Sequence, residues 1–190
     1  MKLSLNKTDL LKFVVKQVNN IIPDLNPLKS GEIEKAFDVA LDRLEYCLSK
    51  IKSKYYFENG NSVFNHLNSD HYCIFLYYLS NSIYKENNNE EVATKFFLLN
   101  KFLSGIDAFY SVELPDVFMV VHPVGTVLGK AKYKNYFIAY QNVTVGATDE
   151  GIYPEFGEGV ILYSKTSVIG KSKVGSNVIF GSNSFIINKH

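Results

Sequence analysis

The sequence predicts an α+β protein, with an N-terminal α-helical domain over residues 1–108 and a left-handed parallel β-helix over residues 109–190. Three observations carry this. Apolar residues recur at spacings of three and four in the first half. Bulky apolar residues recur every sixth position in the second half. The period changes near residue 112.

The helices follow in order. Thr8 is placed to cap a helix from Asp9 to Ile22, with Leu11, Val15, Val18 and Ile22 on one face and Pro23 as its stop. Ser30 caps a second, in which Ile33, Phe37, Ala40, Leu41, Leu44, Leu48 and Ile51 form the stripe. Residues 53–68, rich in Asn, Gly and Ser, read as a loop. Ser69 or Asp70 opens HYCIFLYYLSNSIY, a helix apolar on nearly every side, which asks for burial by several neighbours, a second subunit among them. The polar run from Lys85 to Glu91 reads as a loop, and EEVATKFFLLNKFLSG as a fourth helix ended by Gly105.

The second half aligns in sixes as FGEGVI, LYSKTS, VIGKSK, VGSNVI, FGSNSF and IINKH, with Phe156, Leu162, Val168, Val174, Phe180 and Ile186 in first place. Neither 3.6 nor 2 gives this spacing. Three hexads make one coil of a triangular prism, with the bulky residue inside and small residues at the corners. Val143 and Phe137 continue the register across an interruption at 149–155, and Leu114, Val120 and Thr126 form an earlier run, with a register slip near 131–136. A sandwich of short strands would need hairpin turns and a period of two.

Composition narrows the function. Of 190 residues 46% are hydrophobic, enough for a core. Lys+Arg 20 against Asp+Glu 19 leaves +1, so no electrostatic footprint for nucleic acid or an anionic membrane is expected. Cys47 and Cys73 cannot build a disulfide scaffold or a four-thiolate zinc site. The start, MKLSLNKTDLLKF, lacks a signal-peptide core, and no stretch reaches 18 apolar residues. A soluble protein of the reducing cytoplasm is expected.

Four histidines could do chemistry. His66 and His71 read as solvated or capping residues, and His190 as terminal and mobile. His122, in FMVVHPVGTVLG, breaks the hexad pattern. It is either a turn histidine before Pro123 or a general base in a cleft between prisms. Asp107 precedes it by fifteen positions, close to one coil of about eighteen. It is either a turn residue after Gly105 or the carboxylate that orients the imidazole from an adjacent coil. The second half holds His122 and His190 alone among histidines, so a three-histidine zinc site is not expected. Neither GxxxxGK[ST] nor G-x-S-x-G occurs.

Helices followed by FMVVHPVGTVLG, QNVTVGAT and FGEGVILYSKTSVIGKSKVGSNVIFGSNSF resemble the bacterial serine acetyltransferases, hexapeptide-repeat O-acyltransferases, over roughly residues 70–187. The resemblance implies that His122 deprotonates an acceptor hydroxyl, that Asp107 orients it, and that the hydroxyl attacks the thioester of acetyl-CoA directly. It places Gly146, Ala147, Ser164 and Ser182 along the co-substrate and implies a homotrimer or dimer of trimers, with no metal. The chain also departs from the pattern. Val121 stands where the family has aspartate, and Gly151-Ile152-Tyr153-Pro154 where it has an Arg-His pair associated with the serine carboxylate. A sugar or sugar-nucleotide acceptor, stacked on Tyr153, therefore stands beside serine. By the same resemblance, the tail that the family lays over acetyl-CoA is expected to be missing after His190. The alternative reading is a catalytically silent trimeric scaffold.

Overall fold

The computed structural model describes residues 1–51, 55–58 and 60–189. His190 lies outside them, as does part of the expected 53–68 loop. The chain divides into two compact units, Met1–Leu103 and Ser104–His190.

The first unit is built on α1 (Lys7–Ile21), α2 (Glu34–Lys50), α3 (Ser69–Asn87) and most of α4 (Glu90–Ser104). Asn6, not Thr8, caps α1, because its side chain accepts the Asp9 N–H. Ser30 opens a 3₁₀ turn, Ser30–Glu32, ahead of α2 rather than capping the helix itself. The stretch read as a loop contains β2 (Phe57–Glu58) and β3 (Asn61–Phe64), which pair antiparallel, while β1 (Lys2–Leu3) joins β3 in parallel. Here Ser62 and Phe64 point inward at period two, a signal too short to stand out among the asparagines. The α3 helix runs to Asn87, so the connection to α4 shrinks to residues 88 and 89, with Asn88 left-handed at φ 47°.

Every residue of α3 from His71 to Ile83 is buried within the chain itself, so no second subunit is needed to cover it. Phe37 of α2 meets Phe75 edge-on at 5.8 Å. Arg43, the sequence's single arginine, reaches from α2 to Asn81 Oδ1 (2.8 Å) and Ser82 Oγ (3.0 Å), with its guanidinium 4.6 Å over the Tyr78 ring. His71 is neither solvated nor a cap. It is 2% exposed, tilted on Tyr56 at 4.7 Å, and its Nδ1 accepts the Asn65 N–H. No helix among the described residues is long and apolar enough to cross a membrane.

The second unit is a parallel β-solenoid of the left-handed β-helix type. Its first face stacks β4 (Phe118–Val120), β6 (Phe137–Ala139), β9 (Ile161–Leu162) and β12 (Ile179–Phe180). The second stacks β5 (Val127–Leu128), β7 (Thr144–Gly146), β10 (Ser167–Ile169) and β13 (Phe185–Ile187). The third pairs β8 (Glu155–Phe156) with β11 (Lys173–Val174), and Lys132 bridges to Glu155. Leu114, Val120, Thr126, Phe137, Val143, Phe156, Leu162 and Val168 of the sixfold register are all buried inside the prism. Edges are tight: a Cβ on Gly157 would lie 2.6 Å from the Ser176 nitrogen and 2.7 Å from the Gly175 carbonyl carbon.

Two stability predictions follow from these environments. Gly157→Ala should lower unfolding stability by about 1–3 kcal/mol, since backbone must move to admit the methyl. Denaturant titration measures it, and an unchanged midpoint would show that the coils separate freely. For His71, burial pushes the imidazole below its ordinary value of 6.5, against smaller opposing effects of the Tyr55 backbone and Asp70. The unfolded chain therefore takes up the proton first, and stability should fall as pH drops through and below about 6.5. In His71→Gln, which keeps an acceptor for Asn65, this part of the pH dependence should vanish. Equal slopes in both proteins would sink the assignment.

Candidate active site

Coil register shows where the site is made. In regular coils six positions separate the first face from the second, as from Ile138 to Thr144 and from Ile161 to Ser167. In the first coil eight separate Met119 from Val127. Val121 N–H donates to Ala139 as Tyr140 N–H donates to Leu162, and Asn142 N–H donates to Val124 as Lys165 N–H donates to Gln141. The two extra residues are thus His122 and Pro123, which swell the edge between the first and second faces. His122 is exposed there, left-handed at φ 50°. The register has two further irregularities. Five positions, not six, separate Val127 from Lys132, which puts the slip just before residue 132. Eleven separate Thr144 from Glu155, the loop that interrupts the repeat.

Asp107 is half-buried and holds a strand place beside Val127: its N–H donates to Thr126 (2.8 Å) and its carbonyl accepts from Leu128 (2.8 Å). Gly105 accepts from Gly125 at 3.0 Å, so the chain turns the same edge one coil earlier. The strand partner of Asp107 is Val127 rather than His122. The two candidate residues flank one edge, Asp107 just past it and His122 within it.

The same edge continues through Tyr140-Gln141-Asn142, Tyr163-Ser164-Lys165 and Gly181-Ser182-Asn183, held by Lys165 N–H to Gln141 and Asn183 N–H to Ser164. Ser164 and Ser182 stack with their hydroxyls 3.0 Å apart. Gly146 and Ala147 stand elsewhere, at the end of β7, where Gly146 accepts from Gly170 on the next edge. Some five strand residues, ~16 Å, lie between that edge and Asn142. The four expected co-substrate residues thus fall into two pairs on different edges.

The interrupting loop folds on itself, with Gly151 N–H donating to Thr148 at 2.8 Å. It presents Asp149 and Glu150 outward and no cation. Tyr153 leans on the backbone: a Cβ at Gly129 would meet its ring at 2.7 Å.

Sequence reasoning missed the aromatic pair on the His122 edge. Tyr140 and Tyr163 stack at 4.8 Å and 29°. Burial, helped by the neighbouring phenol, raises the Tyr140 hydroxyl above its ordinary value. It also missed Gln141, whose buried Oε1 has no hydrogen-bond partner among the described residues. The twenty-three-residue spacing of Tyr140 and Tyr163, lengthened by the loop, hid their alignment. Among the described residues no group of three metal-ligating side chains occurs.

No family profile matches the chain. It is 25% identical over 120 residues to a serine acetyltransferase of Staphylococcus epidermidis, covering 61% of this chain and 56% of that protein. A Staphylococcus aureus serine acetyltransferase is 27% identical over 93 residues, 47% of this chain and 44% of that one. The chain spans about half the length of the curated relatives it matches. Solved structures agree in fold. A Vibrio cholerae serine acetyltransferase superposes with a TM-score of 0.74 at 16% identity, over 96% of this chain and 73% of that one. A serine acetyltransferase in complex with CoA does so with 0.74 at 19%, over 95% and 77%. The fold is that of a hexapeptide-repeat β-solenoid with one swollen edge. Its similarities are to the serine acetyltransferases, in sequence to the two staphylococcal proteins and in fold to the solved structures.

Proposed function

We propose that the protein is an acetyl-CoA-dependent O-acetyltransferase whose acceptor is a small hydroxyl compound. The observation that carries this reading is His122, bulged out of register onto an exposed edge that Asp107 flanks, in a chain similar to serine acetyltransferases. His122 takes the acceptor's hydroxyl proton as the oxygen attacks the thioester carbonyl carbon. Backbone N–H groups of the edge stabilise the oxyanion. The carbon–sulfur bond then breaks, the ester forms, and the imidazolium returns its proton to the departing CoA thiolate. Asp107 orients the imidazole and stabilises its charged form. No metal is assigned a part.

The relatives' name supports serine as acceptor. A second reading, a sugar or sugar nucleotide, is favoured by the 149–154 loop. It offers Asp149 and Glu150 where a free amino acid's carboxylate would want a cation, and the one arginine is committed to Asn81 and Ser82 in the helical unit. The two buried thiols, Cys47 and Cys73, fit a reducing compartment.

Assembly belongs to the same proposal. One CoA could touch Gly146 and Ala147 together with Ser164 and Ser182 only where different edges of two copies meet. A homotrimer, singly or doubled, closes such clefts around a threefold axis. Light scattering should report a multiple of three chains. A monomer at micromolar concentration would remove the cleft.

For the chemistry, His122→Ala should lower kcat about 10²–10⁴-fold in a thiol-release assay, with CoA affinity nearly unchanged. Asp107→Asn should cost less, and the double variant little more than His122→Ala alone. Wild-type turnover in His122→Ala would refute the base. Absence of thiol release with any hydroxyl acceptor, together with absence of CoA binding, would leave the silent scaffold.

A further inference from the structure

The aromatic column on the His122 edge is unfinished. Val121, Tyr140, Tyr163 and Gly181 occupy equivalent places in four successive coils, as the bonds from Val121 to Ala139, Tyr140 to Leu162 and Tyr163 to Phe180 fix. Tyr140 and Tyr163 fill the middle two places with stacked rings. The next place holds a glycine, and a Cβ built there meets nothing within 4 Å. Tyr163, 39% exposed, therefore keeps one ring face uncovered, above open space the depth of one coil. Beside that space stand the Ser164–Ser182 hydroxyl pair and Lys165. Lys165 is left-handed at φ 61°, where Gly125, Asn142 and Asn183 hold the edge in the other coils. A lysine in that conformation is unfavourable without a gain elsewhere.

We infer that a planar ring of the ligand takes the vacant third place, stacked on Tyr163 over Gly181, and that this ring is the adenine of the acyl donor. The inference rests on the acetyl-CoA reading above. The place lies three coil steps, ~14 Å, along the prism from the level of His122. A phosphopantetheine arm laid over the small residues Ser164 and Ser182 spans such a rise, with its thioester at His122. Lys165 then faces the phosphates that join arm to adenosine. Purine-on-tyrosine stacking is tolerant of exact ring chemistry and strong for its size.

Calorimetric titration of the full chain with CoA and with 4′-phosphopantetheine, which lacks the adenosine, tests this. Wild type should bind CoA more tightly. Tyr163→Ala should weaken CoA about tenfold, a typical value for one stacked base, and leave phosphopantetheine unchanged. Tyr163→Phe should keep the wild-type difference. Gly181→Leu, at a position where an added Cβ meets nothing within 4 Å, should fill the place and weaken CoA as Tyr163→Ala does. The stack is overturned, with the donor assignment intact, if wild type binds both ligands equally or if Tyr163→Ala and Gly181→Leu leave the CoA preference in place. Binding of neither ligand by wild type would overturn the donor assignment and the stack with it.

Discussion

The second unit depends on one constraint, the parallel hydrogen-bonded register between successive coils. Each strand residue sits in register with residues one coil away, as Ser167 does with Thr144 on one side and Phe185 on the other, its N–H donating to Ser184. That register sends Phe137, Leu162 and Val168 inward, where burial of each contributes about 1.5–3 kcal/mol. It also forces like positions into columns along the prism. A residue at an edge is therefore never alone: its neighbours are the residues of the same column, ~4.8 Å above and below.

Such a frame tolerates extra residues only where no strand pairs, at the edges. The His122–Pro123 bulge and the loop after Thr144 both obey this rule. The bulge can lift a side chain off the prism without disturbing β4 or β5, whose partners remain in register. Rigid strands thus hold an irregular segment, the arrangement in which catalytic groups are positioned with least cost to stability. The same columns bring Tyr140 onto Tyr163 and Ser164 onto Ser182, pairs that no local sequence pattern links.

Much of this was legible because the hexad is strict. The bulky first residue pointed to the prism interior, and the histidine that broke the pattern pointed to the edge. The helices were legible from their apolar stripes, though their caps were not: Asn6 and Thr8 are both competent caps two residues apart, and only the backbone decides between them. The β2–β3 hairpin was hidden because its alternation lasts a few residues and its partner, β1, lies some sixty positions away. His71 looked like a helix-start histidine, yet the sheet it packs under was not visible in sequence. In the solenoid, the interruption at 149–155 is visible in the sequence, but the two extra residues at 122–123 are not. A fifteen-residue spacing therefore suggests Asp107 opposite His122, whereas its strand partner is Val127.

The central claim is that the His122 edge holds an acyl donor along the prism axis. A crystal structure of the full chain with CoA tests it most directly. The account predicts the CoA sulfur at hydrogen-bonding distance from the His122 imidazole, with the arm running over Ser164 and Ser182. CoA found away from that edge, or with its sulfur far from His122, would contradict it.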